Sequence, residues 1–264
     1  MPAGTPPSVS SSNSPPLPPS LVDALRQSQA WGFLGDGPIE DHISHAWGFV
    51  HAADSGLGQR PDPDPGSHGA EPGVGTWMDL GSGGGIPGLV LAQLWPDRKA
   101  VLLDSSERRT RFLSEVVETQ GWGGRVRIVN ARAEAAGRDE DLRGNFSLVV
   151  ARSFGAPPVT AECAAPFLGH GGRLIVSEPP ASPDREGFDD LRWPEEGLAL
   201  VGLKPVGIWR ELFGYRILRQ ASPCPDRFPR RVGVAGKRPL YRMGEDRPSA
   251  ERDLRQGSDQ GQST

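Results

Sequence analysis

The segment Asp79 to Gly88, DLGSGGGIPG, constrains this chain more than any other, because it follows a short apolar run, TWMDL, and leads directly into an apolar helical pattern, PGLVLAQLW. Glycines at such a strand-to-helix turn admit positive φ and let backbone N–H groups approach a ligand without interference from a Cβ. Pro87 suits the start of the helix. Gly83, Gly85 and Gly88 also satisfy the G-x-G-x-x-G spacing of dinucleotide-binding loops. The acid at the end of the strand decides between the two ligand classes. A carboxylate is an awkward neighbour for a pyrophosphate, which needs N–H donors and a helix N-terminus, whereas it suits the amino group of a methionine moiety. Asp79, with Gly81, Gly83 and Gly85, therefore points to S-adenosylmethionine.

The rest of the chain supplies the fold that such a loop requires. From Val74 onward, short apolar runs alternate with helical patterns: TWMDL, PGLVLAQLW, KAVLLD, SSERRTRFLSEVVET, RVRIV, a short segment near Ala133, FSLVVAR, PPVTAECAAPFL and GRLIVSE. That alternation predicts an α/β fold, a doubly wound, Rossmann-like methyltransferase sheet, mostly parallel with helices on both faces. GLKPVGIW and FGYRILR read as two closing strands, an antiparallel pair at the sheet edge being one arrangement.

Six segments follow from composition. Residues 1–19 are Pro- and Ser-rich, carry no charge and are expected to be a disordered tail, as is the polar stretch 245–264. Residues 20–53 hold two helices: one starts in a capping-box-like pattern at Ser20 and Asp23, and the other starts at Pro38 with Ile39, Ile43, Ala46, Trp47 and Val50 on one face. Residues 54–73 form a linker or loop, 74–222 the cofactor-binding domain, and 223–244 a basic Pro/Arg-rich segment.

Composition also narrows function. With 36% hydrophobic residues, 35 glycines and 27 prolines in 264 residues, the ordered part is expected to be shorter than the chain. No apolar run is long enough to cross a bilayer, and the N-terminus has no basic start or apolar signal core, so a cytoplasmic protein without a membrane partner is expected. Cys163 and Cys224 are too few for a disulfide framework or a cysteine zinc site. His42, His45 and His51, at spacings of three and six, do not put three ligands on one helical face, so no metal is expected. A net charge of −4 excludes a globally basic nucleic-acid binder but not a local basic patch. Arg227, Arg230, Arg231, Lys237, Arg238 and Arg242 form such a patch, suited to phosphate. Trp209, Tyr215 and Phe228 fit core packing better than base stacking.

At the strand ends, Asp104 is placed to accept from ribose hydroxyls and also to cap the helix after it. Glu134, in NARAE, is placed to accept from the exocyclic amine of an adenine, and Arg152 ends the fourth strand at the ligand-binding edge. After that strand stands ARSFGAPP, with no Asp- or Asn-Pro-Pro-aromatic motif to grip an exocyclic amine and no cysteine nucleophile. A site without base or nucleophile suits an acceptor with an exposed lone pair, such as guanine N7, where alignment alone supplies about 7 to 11 kcal/mol.

Several runs together resemble the bacterial small-subunit (16S) ribosomal RNA guanine-N7 methyltransferases of the glucose-inhibited division protein B type: DLGSGGGIPGLVLA, LLDSSERRTRFL, ARAE, VVARSF, GGRL and FPRRVGVAGKRPL, between about Gly32 and Leu240. The resemblance implies that Gly81, Ile86, Ala133, Glu134 and Arg152 bind the cofactor, with Arg152 in a positioning role. It implies a monomer whose partner is ribosomal RNA or the small ribosomal subunit. Two departures stand out. The N-terminal helices lack the family's Asn-Leu-Thr and His-x-x-Asp-Ser sequences, with only His45 aligned, and Glu178-Pro179 replaces a Lys-Gly after strand five, an exchange expected to weaken phosphate contact. Three other readings remain: the same fold acting on a small-molecule acceptor, a cofactor-binding module without turnover, and an NAD-dependent dehydrogenase.

Overall fold

The computed structural model describes residues 16–58, 75–180 and 191–243. The expectations for 1–15, 59–73 and 245–264 lie outside the described residues. The chain runs α1 (Pro19–Ala30), α2 (Ile39–Asp54), β1 (Thr76–Leu80), α3 (Gly88–Leu94), β2 (Lys99–Asp104), α4 (Glu107–Thr119), β3 (Val126–Asn130), α5 (Ala133–Ala136), β4 (Phe146–Ala151), α6 (Pro157–Ala164) and β5 (Leu168–Glu178). A short helix α7 (Glu195–Ala199), β6 (Leu203–Arg210), β7 (Gly214–Gln220) and α8 (Val234–Lys237) complete it.

The strands form one sheet in the order β3-β2-β1-β4-β5-β7-β6. β1 to β5 pair in parallel, and β7 runs antiparallel to both β5 and β6. The closing hairpin is thus antiparallel, with its second strand inserted next to β5. Strands such as KAVLLD and FSLVVA are apolar almost throughout because helices cover both faces. On one face, Leu21, Leu25, Phe49, Leu89, Leu91 and Phe112 belong to a core built by α1 to α4. On the other, Met78, Leu80, Val149, Phe167, Leu174 and Trp193 pack beneath α5, α6 and the C-terminal segment. The strand order reverses between the parallel neighbours β1 and β4, and this switch point opens a crevice at the carboxyl ends of the strands.

The N-terminal helices belong to this core. In α2, Ile39, Ala46 and Val50 are buried as expected, and Phe49, Ala52 and Ala53 widen the apolar face. Gly48 provides the room for it. A Cβ there would stand 2.1 Å from the Tyr215 hydroxyl, which donates to the His45 carbonyl at 2.7 Å. The capping-box expectation at Ser20 is corrected: Pro18 is the N-cap, and the Ser20 hydroxyl accepts from Gln120 at 3.1 Å, which ties α1 to α4. Pro18 at the N-cap and Pro19 in the first helical position already fix the backbone there. Tyr215 and Phe228 are buried and Trp209 is half-buried against the core, as expected of packing residues.

Candidate active site

Two carboxylates at neighbouring strand ends organise the glycine loop. Asp79 closes β1 from beneath: its Oδ2 accepts from the Gly88 N–H at 2.9 Å. Asp104 closes β2, and its oxygens accept from the Gly83 N–H at 2.9 Å and the Ser106 N–H at 2.8 Å. The latter bond satisfies an orphan donor at the start of α4, so the capping role is present and lone pairs remain for a ligand. Gly81 and Gly85 hold φ of 76° and 95°, conformations that a side chain would strain. A Cβ on Gly81 would also meet Phe154 at 2.6 Å. The loop is held from outside as well, since the Ser28 hydroxyl of α1 donates to the Gly84 carbonyl at 2.8 Å.

Asp79 is 1% exposed, and burial pushes its carboxyl up to about 7. Its Oδ1 is buried without a hydrogen-bond partner. An uncompensated buried carboxylate is costly unless something positive completes it. The ammonium of S-adenosylmethionine is such a group, so the residues present fit that cofactor.

Beside the loop lies a cavity of about 240 Å³ whose walls include Gly81, Asp104, Ala133, Glu134, Ser153 and Phe154. Four of the nine expected cofactor residues therefore converge on one space. Gly83 does not line it, but its N–H is bound by Asp104, which does. Gly85 and Ile86 lie deeper: Gly85 packs against Leu89, and Ile86, 4% exposed, is part of the core. Glu134 is 6% exposed, with one oxygen accepting the Gly233 N–H at 2.9 Å and the other 3.7 Å from Arg132 Nε.

Arg152 stands at the end of β4, half-buried, where burial lowers its guanidinium pKa against the opposing charge of Asp79. Its Nη2 donates to His42 Nδ1 at 2.9 Å; because Arg can only donate, the His42 proton sits on Nε2, which donates to the Gly35 carbonyl at 3.1 Å. Arg152 faces a second cavity, of about 370 Å³, also lined by His45, Phe154, Glu178, Arg192 and Phe213. Ser153 and Phe154 wall both cavities. Burial lowers the His45 imidazole to about 4 and raises the Cys163 thiol, at the wall of the first cavity, to about 12.

The family rRNA small subunit methyltransferase G matches residues 68–178. A member from a Thermotoga species is 38% identical over 171 residues, covering 63% of this chain and 72% of that protein. The chain belongs to this family. A second relative, ribosomal RNA small subunit methyltransferase G of Rubrobacter xylanophilus, is 35% identical over 180 residues; the match spans 63% of this chain and 66% of that protein's length. A putative O-methyltransferase from Klebsiella pneumoniae shares the fold, with a TM-score of 0.50 at 14% identity over 77% of this chain and 90% of that one. The small subunit methyltransferase G family depends on S-adenosylmethionine, in agreement with the buried Oδ1 of Asp79 that has no hydrogen-bond partner.

Outside the matched stretch, one cation of the C-terminal segment is corrected. The Arg230 guanidinium is engaged by Glu162: Nε donates to Oε1 at 2.8 Å, the backbone N–H reaches the same oxygen at 2.9 Å, and Nη2 pairs with Oε2. The Glu162 side chain is fully buried in α6, so Arg230 neutralises it and is not available to phosphate in this arrangement. Arg143 donates to the carbonyls of Cys224, Pro225 and Phe228, and Arg138 to that of Pro229. Arg227 lies over the Phe228 ring at 5.0 Å, while Arg231, Lys237 and Arg238 are exposed.

Glu178 is likewise corrected. It is no exposed anion at an RNA-facing edge: its side chain is 2% exposed, accepts from the Trp193 indole N–H, and has Arg192 Nε 3.1 Å away. Sequence reasoning missed this cluster and the Glu162–Arg230 pair. The signal for the second was an acid inside the otherwise apolar run PPVTAECAAPFL. Among the described residues no group of His, Cys, Asp or Glu could hold a metal, and no helix is long and apolar enough to cross a membrane.

Proposed function

We propose that this chain transfers a methyl group from S-adenosylmethionine to N7 of a guanine in small-subunit (16S) ribosomal RNA, acting in the cytoplasm as a monomer on the RNA or the small subunit. The observation that carries the reading is the buried, half-satisfied carboxylate of Asp79 at the end of β1, beside a cavity walled by Asp104, Ala133 and Glu134, in a chain of this family.

When bound, S-adenosylmethionine supplies an electrophilic methyl group on a sulfonium. The chain's residues supply binding and alignment. Asp79 takes the ammonium, Asp104 accepts from the ribose hydroxyls with its remaining lone pairs, and the second oxygen of Glu134 is open to the adenine amine. Ser153 and Phe154 stand between this cavity and the one that receives the acceptor. Neither cavity is walled by an activated base or nucleophile: His45 is held neutral and Cys163 stays a thiol at neutral pH. Such a site favours an acceptor that attacks with a lone pair and gives up no proton, as guanine N7 does. Arg227, Arg231, Lys237 and Arg238 are placed to meet RNA phosphates. The argument from Glu178 for a small-molecule acceptor falls away, because that carboxylate is buried and paired.

Purified protein incubated with S-adenosylmethionine and 16S ribosomal RNA from a strain lacking the gene is expected to form 7-methylguanosine, read by mass spectrometry of the nucleosides. Methylated product in a metabolite extract, with none in the RNA, would sink this reading.

A further inference from the structure

Arg152 lines the second cavity and not the cofactor cavity. Among the described residues its guanidinium makes a single hydrogen bond, from Nη2 to His42 Nδ1, although an Arg side chain carries five N–H donors. A long side chain held at one point keeps its direction only if that point is itself fixed. His42 is fixed in this way. It stands in the first turns of α2, 8% exposed, and its Nε2 donates to the Gly35 carbonyl at 3.1 Å. Gly35 lies in the connection between α1 and α2, and its carbonyl also accepts from Gln29 Nε2 at 2.9 Å. The same Gln29 nitrogen donates to the Gly37 carbonyl at 2.8 Å. Gln29 thus pins the connection, the connection sets the His42 tautomer, and His42 offers Arg152 a lone pair.

Resting on the reading of the chain as a guanine-N7 methyltransferase, we propose that His42 is a positioning residue for the transfer: it aims the Arg152 guanidinium into the acceptor cavity, where the remaining N–H donors hold the target nucleotide for in-line attack. His42 itself touches neither cofactor nor acceptor, and no proton passes through it. Its contribution is direction. A reaction that relies on alignment is sensitive to such a contact, because a misplacement of about 1 Å can cost about a hundred-fold in rate. The two N-terminal helices therefore act on both halves of the site, on the cofactor loop through the bond from Ser28 to the Gly84 carbonyl and on the acceptor cavity through His42.

Single-turnover formation of 7-methylguanosine in 16S ribosomal RNA, at saturating S-adenosylmethionine, reads this role. His42→Leu, which has no acceptor, should lower the rate about ten-fold, near the lower end of what a hydrogen bond to a charged group supplies. His42→Asn should restore it to within about two-fold of the unaltered protein, since Asn Oδ1 is bonded to Cγ as Nδ1 is. In the Arg152→Lys background, His42→Leu should cost little further, because the fork that His42 directs is gone. S-adenosylmethionine affinity, measured by calorimetry, should hold in each His42 variant. Gln29→Leu, at a half-buried position, loosens the Gly35 carbonyl and should lower the rate about three-fold, again only where Arg152 is present; it carries the comparison if His42→Leu fails to fold. Losses of equal size with and without Arg152→Lys, or no rescue by Asn, would make His42 a support of the fold alone. A fall in cofactor affinity with an unchanged rate would turn Arg152 toward the cofactor. Either result overturns the proposal while 7-methylguanosine still forms, whereas an unaltered protein that forms none overturns the function reading and the proposal with it.

Discussion

The two halves of the sheet build their sites by different means. On the β1–β2 side, the cofactor loop is shaped mainly by backbone: glycines at positive φ and N–H groups bound by two strand-end carboxylates, with Ser28 of α1 as the one distant side chain that holds it. On the β5–β7 side and in the C-terminal segment, the structure depends on charged side chains buried against distant partners. Glu162 meets Arg230, Glu178 meets Arg192 and Trp193, and Arg143 gathers carbonyls around Cys224 to Phe228. The first half tolerates little change in backbone shape, and the second little change in charge.

The largest effect should come from breaking the second half. Arg230→Ala leaves the fully buried Glu162 without its cation, and removing one partner of a buried pair costs about 3 to 5 kcal/mol. Urea unfolding should show that loss. S-adenosylmethionine affinity should fall with it, since the displaced segment also carries the Gly233 N–H that binds Glu134. A shift under about 1 kcal/mol, the range of an exposed pair, would mean that the segment is not anchored through this contact.

The same division explains what could be read before the structure. The glycine loop, the strand alternation and the capping bond of Asp104 are local: periodicity and turn chemistry report them over a few residues. The joint boundary of the two cavities at Ser153 and Phe154 was not legible, the sequence placing only Arg152, just before them, at the ligand-binding edge. Pairings such as Glu162 with Arg230 or Tyr215 with His45 leave no periodic trace, because the partners come together only when α6 or α2 docks. Position alone therefore gave Arg230 to phosphate and Glu178 to solvent. Packing assigned them otherwise.

A smaller effect sharpens the account of the first half. Burial raises the Asp79 carboxyl from an ordinary value of 3.8 to about 7 in the ligand-free fold. Between these values the folded state holds a proton that the unfolded chain has released, so stability should fall as pH rises from about 4 to about 7 and level off above. Asp79→Asn should remove that slope. Because an ammonium pairs with the ionised carboxylate, S-adenosylmethionine affinity should rise between pH 6 and 8, by at most about ten-fold per unit, with proton release on binding at the lower end. Calorimetry in buffers of different ionisation enthalpy measures that release. Proton uptake, or an affinity independent of pH, would place the ammonium elsewhere.

The smallest expected effect is no effect, and it tests whether any side chain at the junction of the two halves takes part as an acid or base. His45 is the group to watch, being in the acceptor cavity with its ring 4.6 Å from that of Phe213. Burial, with the positive charge of Arg152 nearby, lowers it to about 4, so it stays neutral from pH 6 to 9. Arg152 cannot exchange a proton usefully near neutrality either, and its bond to His42 fixes its direction. Single-turnover transfer at saturating S-adenosylmethionine, where the Asp79 proton is already displaced, should therefore be flat across this range. Arg152→Lys should lower the flat rate without bending it, because Lys keeps the charge but loses the planar fork that reaches His42. An inflection near 6.5 that disappears in His45→Gln would make His45 a participant, and the site would then serve acceptors that must lose a proton.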